Sequence, residues 1–332
     1  MIWLSWRQFR AQAAVIGLIL AVIAAALVLA RLHLTAGAAG AAGAAGAAGG
    51  FRGLSAKSWH LLQLLGTFLV AVPALLGAFC GAPLIARELE AGTQQLAWTQ
   101  SVTRTRWLAV RMSLVGLAAV AGTEIFALLL TWAARPGDAI NKNLFGLGLF
   151  GERGIVPAGY AAFAFALGVA AGVIIRRTIP AIVLTLAVFT GFRMLFSIVI
   201  RPRLITPVRA VSALNVHTAG IGISNRPGSP GSDTVTIFPD SVRPGDWVYS
   251  THLSDAAGHP ASDHVTPAPA ACVHYGYRLC TQALSRLHLH QLVTYQPASR
   301  FWAFQGLETA IFAALAVALA GLSFWWVRRR LS

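Results

Sequence analysis

The sequence predicts an all-α polytopic membrane protein: six transmembrane helices, both termini on the cytoplasmic side, and a small mixed α/β extracellular region between helices 5 and 6. Three observations predict it. Of the 332 residues, 56% are hydrophobic and only 11% charged, whereas soluble domains carry about 25% charged residues. Six segments, near 11–33, 60–86, 107–133, 155–176, 179–200 and 304–327, reach the apolar length of about 20 residues that a spanning helix needs. With the N-terminus inside, the cytoplasmic segments hold Arg7, Arg10, Arg87, Arg104, Arg106, Arg111, Arg176, Arg177, Arg328, Arg329 and Arg330. The opposed short loops hold Arg52, Lys57, Arg135, Lys142 and Arg153, and this imbalance sets an N-in, C-in topology. The net charge of +15 then reads as a topology signal, and no nucleic acid partner is expected.

Residues 1–10 place Ile2, Trp3, Trp6 and Phe9 at helical spacing among Arg7 and Arg10, which predicts an interfacial elbow helix or an aromatic anchor for the first span. The apolar run from Ala11 to Ala30 exceeds the 7–15-residue core of a signal peptide, so the first span is read as an uncleaved anchor. The Ala-Ala-Gly repeat after it has no bulk to bury and reads as an external linker. Residues 11–200 thus hold helices 1–5, with a cytoplasmic element over 87–106. Residues 201–302 form the polar extracellular region, in which "TVTIF" and "DWVYSTHL" read as strands and "YRLCTQALSRLHLHQLV" as a helix. Residues 303–332 supply helix 6 and a basic tail. Arg in place of Lys, with the Ala, Gly and Pro load, points to a GC-rich genome of actinobacterial type.

Much chemistry is excluded. The sequence has no G-x-x-x-x-G-K-[ST], so the chain has no P-loop for ATP phosphates. No G-x-S-x-G or H-E-x-x-H supports hydrolysis. His252, His259, His264, His274, His288 and His290 match no zinc spacing and read as surface histidines. Cys272 and Cys280, outside the membrane, are expected to pair as a disulfide in an oxidising compartment, while Cys80 is buried and inert.

The stretch "IARELEAGTQQLAWTQSVTRTRW", Ile85 to Trp107, is too structured for a simple connection. Gly92 suits a left-handed helix stop, Thr93 can cap a short helix anchored by Leu96 and Trp98, and Ser101 or Thr103 can cap the third span. Arg104, Arg106 and Trp107 pin it at the interface. Glu88, Gly92, Thr93, Thr103, Arg104 and Arg111 resemble the Glu-x-x-x-Gly-Thr … Ser/Thr-Arg … Arg/Lys stretch of ABC-2 type transporter permeases. Val102 stands where many members have proline, and Arg111 where a lysine is common. "TYQPASRFWAFQGLE", Thr294 to Glu308, resembles actinobacterial members before their last span.

The resemblance implies an ABC-2, type V exporter-like architecture. It implies a membrane subunit that pairs with a second permease copy, identical or not, and with separate ABC ATPase subunits. ATP and Mg would be bound by those partners, and this chain would bind no cofactor or metal itself. Glu88, Glu90, Gly92, Thr93, Leu96, Trp98, Thr103, Arg104 and Arg106 would then form the coupling knuckle that docks on the ATPase; otherwise they form only a capped interfacial turn. The rival reading of the whole chain is a membrane-anchored sensory or interaction protein whose extracellular domain binds a ligand.

Three ionisable residues fall within the spans. At about 1.5 Å per residue, Glu124 lies about 25 Å above Trp107, Arg193 about 21 Å above Ile179, and Glu308 about 6 Å below Phe304. All three reach the outer third of a core about 30 Å thick. A charge there needs a partner, so Arg193 is expected to pair with Glu308, with Glu124 or with both. Such a pair either fixes helix packing or lines a substrate route. Pro73 and Pro83 bracket Gly77 and Gly81, whose small-xxx-small spacing allows close helix approach within the chain or at a dimer seam.

Overall fold

The computed structural model describes residues 21–33, 35, 48–91, 104–141, 145, 149–217, 219–224, 234–238, 245–254, 259, 262, 264–265, 269, 271–272 and 277–330. In chain order these form α1 (Ala21–His33), α2 (Ala48–Leu76), a π-helical turn (Gly77–Gly81) and α3 (Ala82–Ala91). Then come α4 (Arg104–Asn141), a 3₁₀ turn (Leu149–Glu152), α5 (Val156–Ile175) and α6 (Thr178–Leu195). A second π turn (Phe196–Ile200) and a 3₁₀ turn (Arg201–Arg203) extend α6. Strands β1 (Val208–Ala213), β2 (Gly220–Ser224), β3 (Thr234–Phe238), β4 (Trp247–Ser254) and β5 (His264–Val265) come next, then α7 (Tyr277–Ser285), β6 (His290–Gln296) and α8 (Phe301–Arg330).

The chain divides into two compact units. The first comprises Met1–Asn141, Gly146–Leu204 and Trp302–Ser332. Among the described residues, five helices are long and apolar enough to cross a membrane: His60–Glu90, Thr105–Arg135, Val156–Ile175, Thr178–Arg203 and Ala298–Arg329. Of the expected first span, the described part is the shorter apolar helix α1. Residues 1–20 and 36–47, with the expected elbow helix and most of the Ala-Ala-Gly repeat, lie outside the described residues, and the last residues of the repeat, from Ala48, begin α2. The fifth expected span runs on to Arg203 rather than stopping at 200, because the apolar run "MLFSIVI" continues the helix past Arg193.

Helix α5 is the centre of this unit: 72% of its membrane window is buried, against 17–39% for the other spans. Half of its sequence, VPAGYAAFAFALGVAAGVII, is Ala or Gly, which lets neighbours approach closely. The closest neighbour is the π turn of the second span. A Cβ on Gly168 would fall 2.1 Å from the Gly77 carbonyl oxygen, one on Gly172 2.5 Å from that of Ala82, and one on Gly81 2.7 Å from that of Phe165. The Gly77/Gly81 pair therefore meets a second i, i+4 glycine pair on α5 of the same chain. The π turn has a local cause: Pro83 has no N–H to continue the α-helical ladder, and Ala82 N–H bonds instead to Gly77.

At one end Ile85, Trp107, Leu108, Phe165, Val169, Val173 and Val327 form a shared apolar core. Toward the other end α1 packs through Leu27 and Ala30 on Leu62, Leu69, Phe126 and Leu130. Arg31 stacks 4.1 Å over the Trp132 ring and donates to the Trp132 carbonyl.

The second unit comprises Lys142–Phe145 and Ile205–Phe301. Its described residues form two three-stranded antiparallel sheets, ordered β1-β6-β4 and β2-β3-β5. The two expected strands are β3 and most of β4. The expected helix over 277–293 stops at Ser285. His288 takes a left-handed backbone (φ 48°), and "HQLVTYQ" beyond it alternates in burial with period two, pairing with both β1 and β4. Val216, Val235, Ile237, Leu253 and Leu284 pack around the Cys272–Cys280 disulfide.

Candidate functional site

Two sets of polar side chains stand out in the helical unit, one inside it and one at the end where α3 and α4 meet. The inner set begins with the start of α5. The first N–H groups of a helix have no partner within it, and in lipid they must find one. Here each comes from another helix. Thr131 Oγ1 of α4 accepts from Gly154 N–H at 3.2 Å. Gln305 Oε1 of α8 accepts from Ile155 and Val156 N–H at 3.0 and 3.1 Å. Position 157 is proline, which has no N–H to satisfy. Glu124 of α4 accepts from Ala158 N–H. Gln305 also donates through Nε2 to the Phe150 carbonyl at 3.0 Å.

One turn into α5, Tyr160 donates its hydroxyl to Glu308 Oε1. Arg201 grips the same carboxylate in bidentate fashion, Nε to Oε2 and Nη2 to Oε1, both at 2.8 Å. Arg201 Nη2 also reaches Tyr160 OH at 3.1 Å, and its guanidinium lies 4.4 Å over the Phe150 ring. The pair is sealed, with side chains 3% and 0% exposed. The π turn before Arg201 explains its aim: one added residue rotates the rest of the helix by about 100° around its axis.

The expected partner, Arg193, goes elsewhere. It stacks 4.6 Å over the Tyr160 ring and donates through Nη1 to the Val70 carbonyl at 2.5 Å, three residues before Pro73. Glu308 is thus brought to Arg201, not to Arg193, and Glu124 caps a helix instead of joining an ion pair. Sequence reasoning missed Arg201 because "RPR" reads as the end of a span; the unbroken apolar run up to it is the signal that places it in the last turn. Missed too are Tyr160 and Gln305, which stands three residues before the expected Glu308 on one face of α8. Glu152 and Arg153 read as loop residues yet are 5% and 4% exposed. Burial is the main influence on the Glu152 carboxyl and pushes it above its ordinary range, against the opposing fields of Arg153 and Arg193.

At the other end, Gly92, Thr93, Leu96, Trp98 and Thr103 lie outside the described residues, and of Arg104 the helical backbone alone is described. The flanks of that connection are defined. Glu88 of α3 pairs with Arg111 of α4, whose guanidinium lies 4.9 Å over the Trp107 ring. Glu90, two residues on, accepts from Thr178 N–H at 3.1 Å and Thr178 Oγ1 at 2.7 Å, so it caps α6 from outside. The α5–α6 turn is itself tight, with Arg176 left-handed (φ 58°) and its N–H on the Gly172 carbonyl. Arg106 is exposed. Among the described residues, no group of three His, Cys, Asp or Glu could hold a metal ion.

Neither a curated protein nor a solved structure matches the chain. The family model of the ABC-2 membrane transporter related domain matches residues 17–201, more than half of the 332 residues. That match ends on Arg201 and takes in the Glu88–Arg111 pair, the Glu90 cap and the glycine crossing on α5. The chain therefore belongs to the ABC-2 membrane transporter related family.

Proposed function

We propose that this chain is the transmembrane subunit of an ATP-driven exporter in the cell membrane, with six N-in, C-in spans and a partner that burns the ATP. The partner is a separate ABC ATPase that binds ATP and Mg, and a second permease subunit completes the membrane part. The 92–103 connection is the knuckle the ATPase grips. The observation that carries this reading is the double fastening beside it. Glu88 ties its base to α4, and Glu90 ties the same base to the start of α6. A push on the knuckle is thereby delivered to α3, α4 and the α5–α6 turn together. The buried Arg201–Glu308–Tyr160 network, in which both carboxylate oxygens accept hydrogen bonds, acts as a rigid strut at the far end rather than as a cargo site.

The test is isolation of the chain with its ATPase, together with labelling of a cysteine placed at position 92 by a membrane-impermeant reagent. Co-purification that is lost on Glu88→Ala, with position 92 labelled only from the inside, is the expected result. An external position 92, or a chain that never retains an ATPase, would sink this reading in favour of a sensory role for the external domain.

A further inference from the structure

Two basic clusters far apart in sequence emerge around one core. Val173 and Val327 belong to the same apolar cluster as Ile85 and Trp107. Immediately beyond them lie Arg176 and Arg177 on the α5–α6 turn and Arg328 and Arg329 on α8, all four exposed. Arg87 and Arg106 are exposed at the same end. The two acids there are engaged: Glu88 with Arg111, Glu90 with Thr178. Glu90 also feels the charge of Arg177, but two carboxylates against these six exposed arginines leave the rim net positive.

The surface next to these arginines decides the partner. Along α6 the neighbours are Ile179 and Val183, 75% and 60% exposed, and at the end of α5 Ile174 is 41% exposed. On α8 they are Leu322 and Trp325, 38% and 45% exposed, with Arg329 lying 5.7 Å over the Trp325 ring. Charge that runs directly onto bare aliphatic surface, with an amphipathic indole at the join, matches a phosphate headgroup above acyl chains. A docked acidic protein would need a polar rim around the charge instead.

We propose that this rim, formed by Arg176 and Arg177 with Arg328 and Arg329, is a binding surface for anionic glycerophospholipid. The headgroup phosphate sits among the guanidinium groups and the chains lie along Ile179, Val183 and Leu322. Charge for topology alone would be indifferent to which lipid surrounds it; this surface retains phosphatidylglycerol over phosphatidylcholine.

The test is native mass spectrometry of the full chain in neutral detergent, titrated with the two lipids carrying identical acyl chains. Phosphatidylglycerol should bind about tenfold more tightly or better, with the preference falling as salt rises. Arg176→Gln with Arg177→Gln, or Arg328→Gln with Arg329→Gln, should remove most of that preference, while the corresponding Lys variants keep it. Arg135→Gln with Arg203→Gln, the same charge change at exposed sites on the far ends of α4 and α6, should leave it intact. Equal binding of the two lipids, or equal loss in the Arg135/Arg203 variant, overturns the proposal.

Discussion

Removing either partner of the Arg201–Glu308 pair should be among the most damaging single changes in the helical unit. In Glu308→Leu, Arg201 keeps the Tyr160 hydroxyl at 3.1 Å, Ser197 at 3.4 Å and the Phe150 ring, in a place where its side chain is 3% exposed. In Arg201→Met the buried carboxylate keeps the Tyr160 hydroxyl as its donor. Breaking a buried pair in this way costs about 3–5 kcal/mol. The double variant leaves no charge stranded. Its main cost is the unsatisfied Tyr160 hydroxyl, about 1–3 kcal/mol. Two singles summing to about 6–10 kcal/mol against a double of about 1–3 give a coupling of at least about 3 kcal/mol. Equilibrium unfolding in mixed micelles with rising SDS measures all four corners. Arg193→Met, which loses a carbonyl bond and a ring contact, should cost less and show little coupling to Glu308. Additive singles, or equal coupling of Glu308 to Arg193, would refute the assignment of Arg201 as the partner.

Gly168→Ala should destabilise by about 3 kcal/mol, because its new methyl would meet backbone atoms of Gly77 and Ala82 that cannot swing aside, whereas Gly321→Ala, with nothing within 4 Å, should be neutral or gain about 1 kcal/mol in the same assay. Replacing Cys272 and Cys280 by Ser should cost the second unit about 2.5 kcal/mol from the loop of separation 8 they close, read as faster proteolysis confined to residues 205–301. Glu152 holds its proton more tightly folded than unfolded, so its contribution is fully present below its ordinary value of 4.5 and is lost as pH rises from there through the raised folded value. Melting temperatures should accordingly fall over that window in the parent and fall less in Glu152→Gln.

Hydropathy was enough to read the five long spans, because a membrane imposes length and apolarity on any helix that crosses it. The pairing of charges was not legible. Depth counting put Arg193, Glu124 and Glu308 at similar levels, but depth says nothing about which face a side chain takes. The π turn at Phe196–Ile200 rotates Arg201 toward α8, and its local signal is Pro202, which stands two residues past the turn as Pro83 stands past the first one. Glu90 shows the same limit: its spacing marks it as part of the connection, yet its partner, Thr178, lies 88 residues away. The glycines at 77, 81, 168 and 172 were half legible, since one pair signalled a close crossing without saying against which helix. The alternation in "HQLVTYQ" was readable, and the helical look of the residues before it obscured it.

The way α5 begins has a consequence for biogenesis. Its opening amides are quenched partly by Glu124 and Thr131, already synthesised, and partly by Gln305, whose bonds span 149 and 150 positions. At ribosomal speed that interval is roughly 10–30 s. During it the middle of the bundle must wait, half-capped, beside the insertion machinery or a chaperone. A nascent chain arrested before residue 305 should therefore crosslink to such a helper through α5, and release should coincide with the arrival of the final helix.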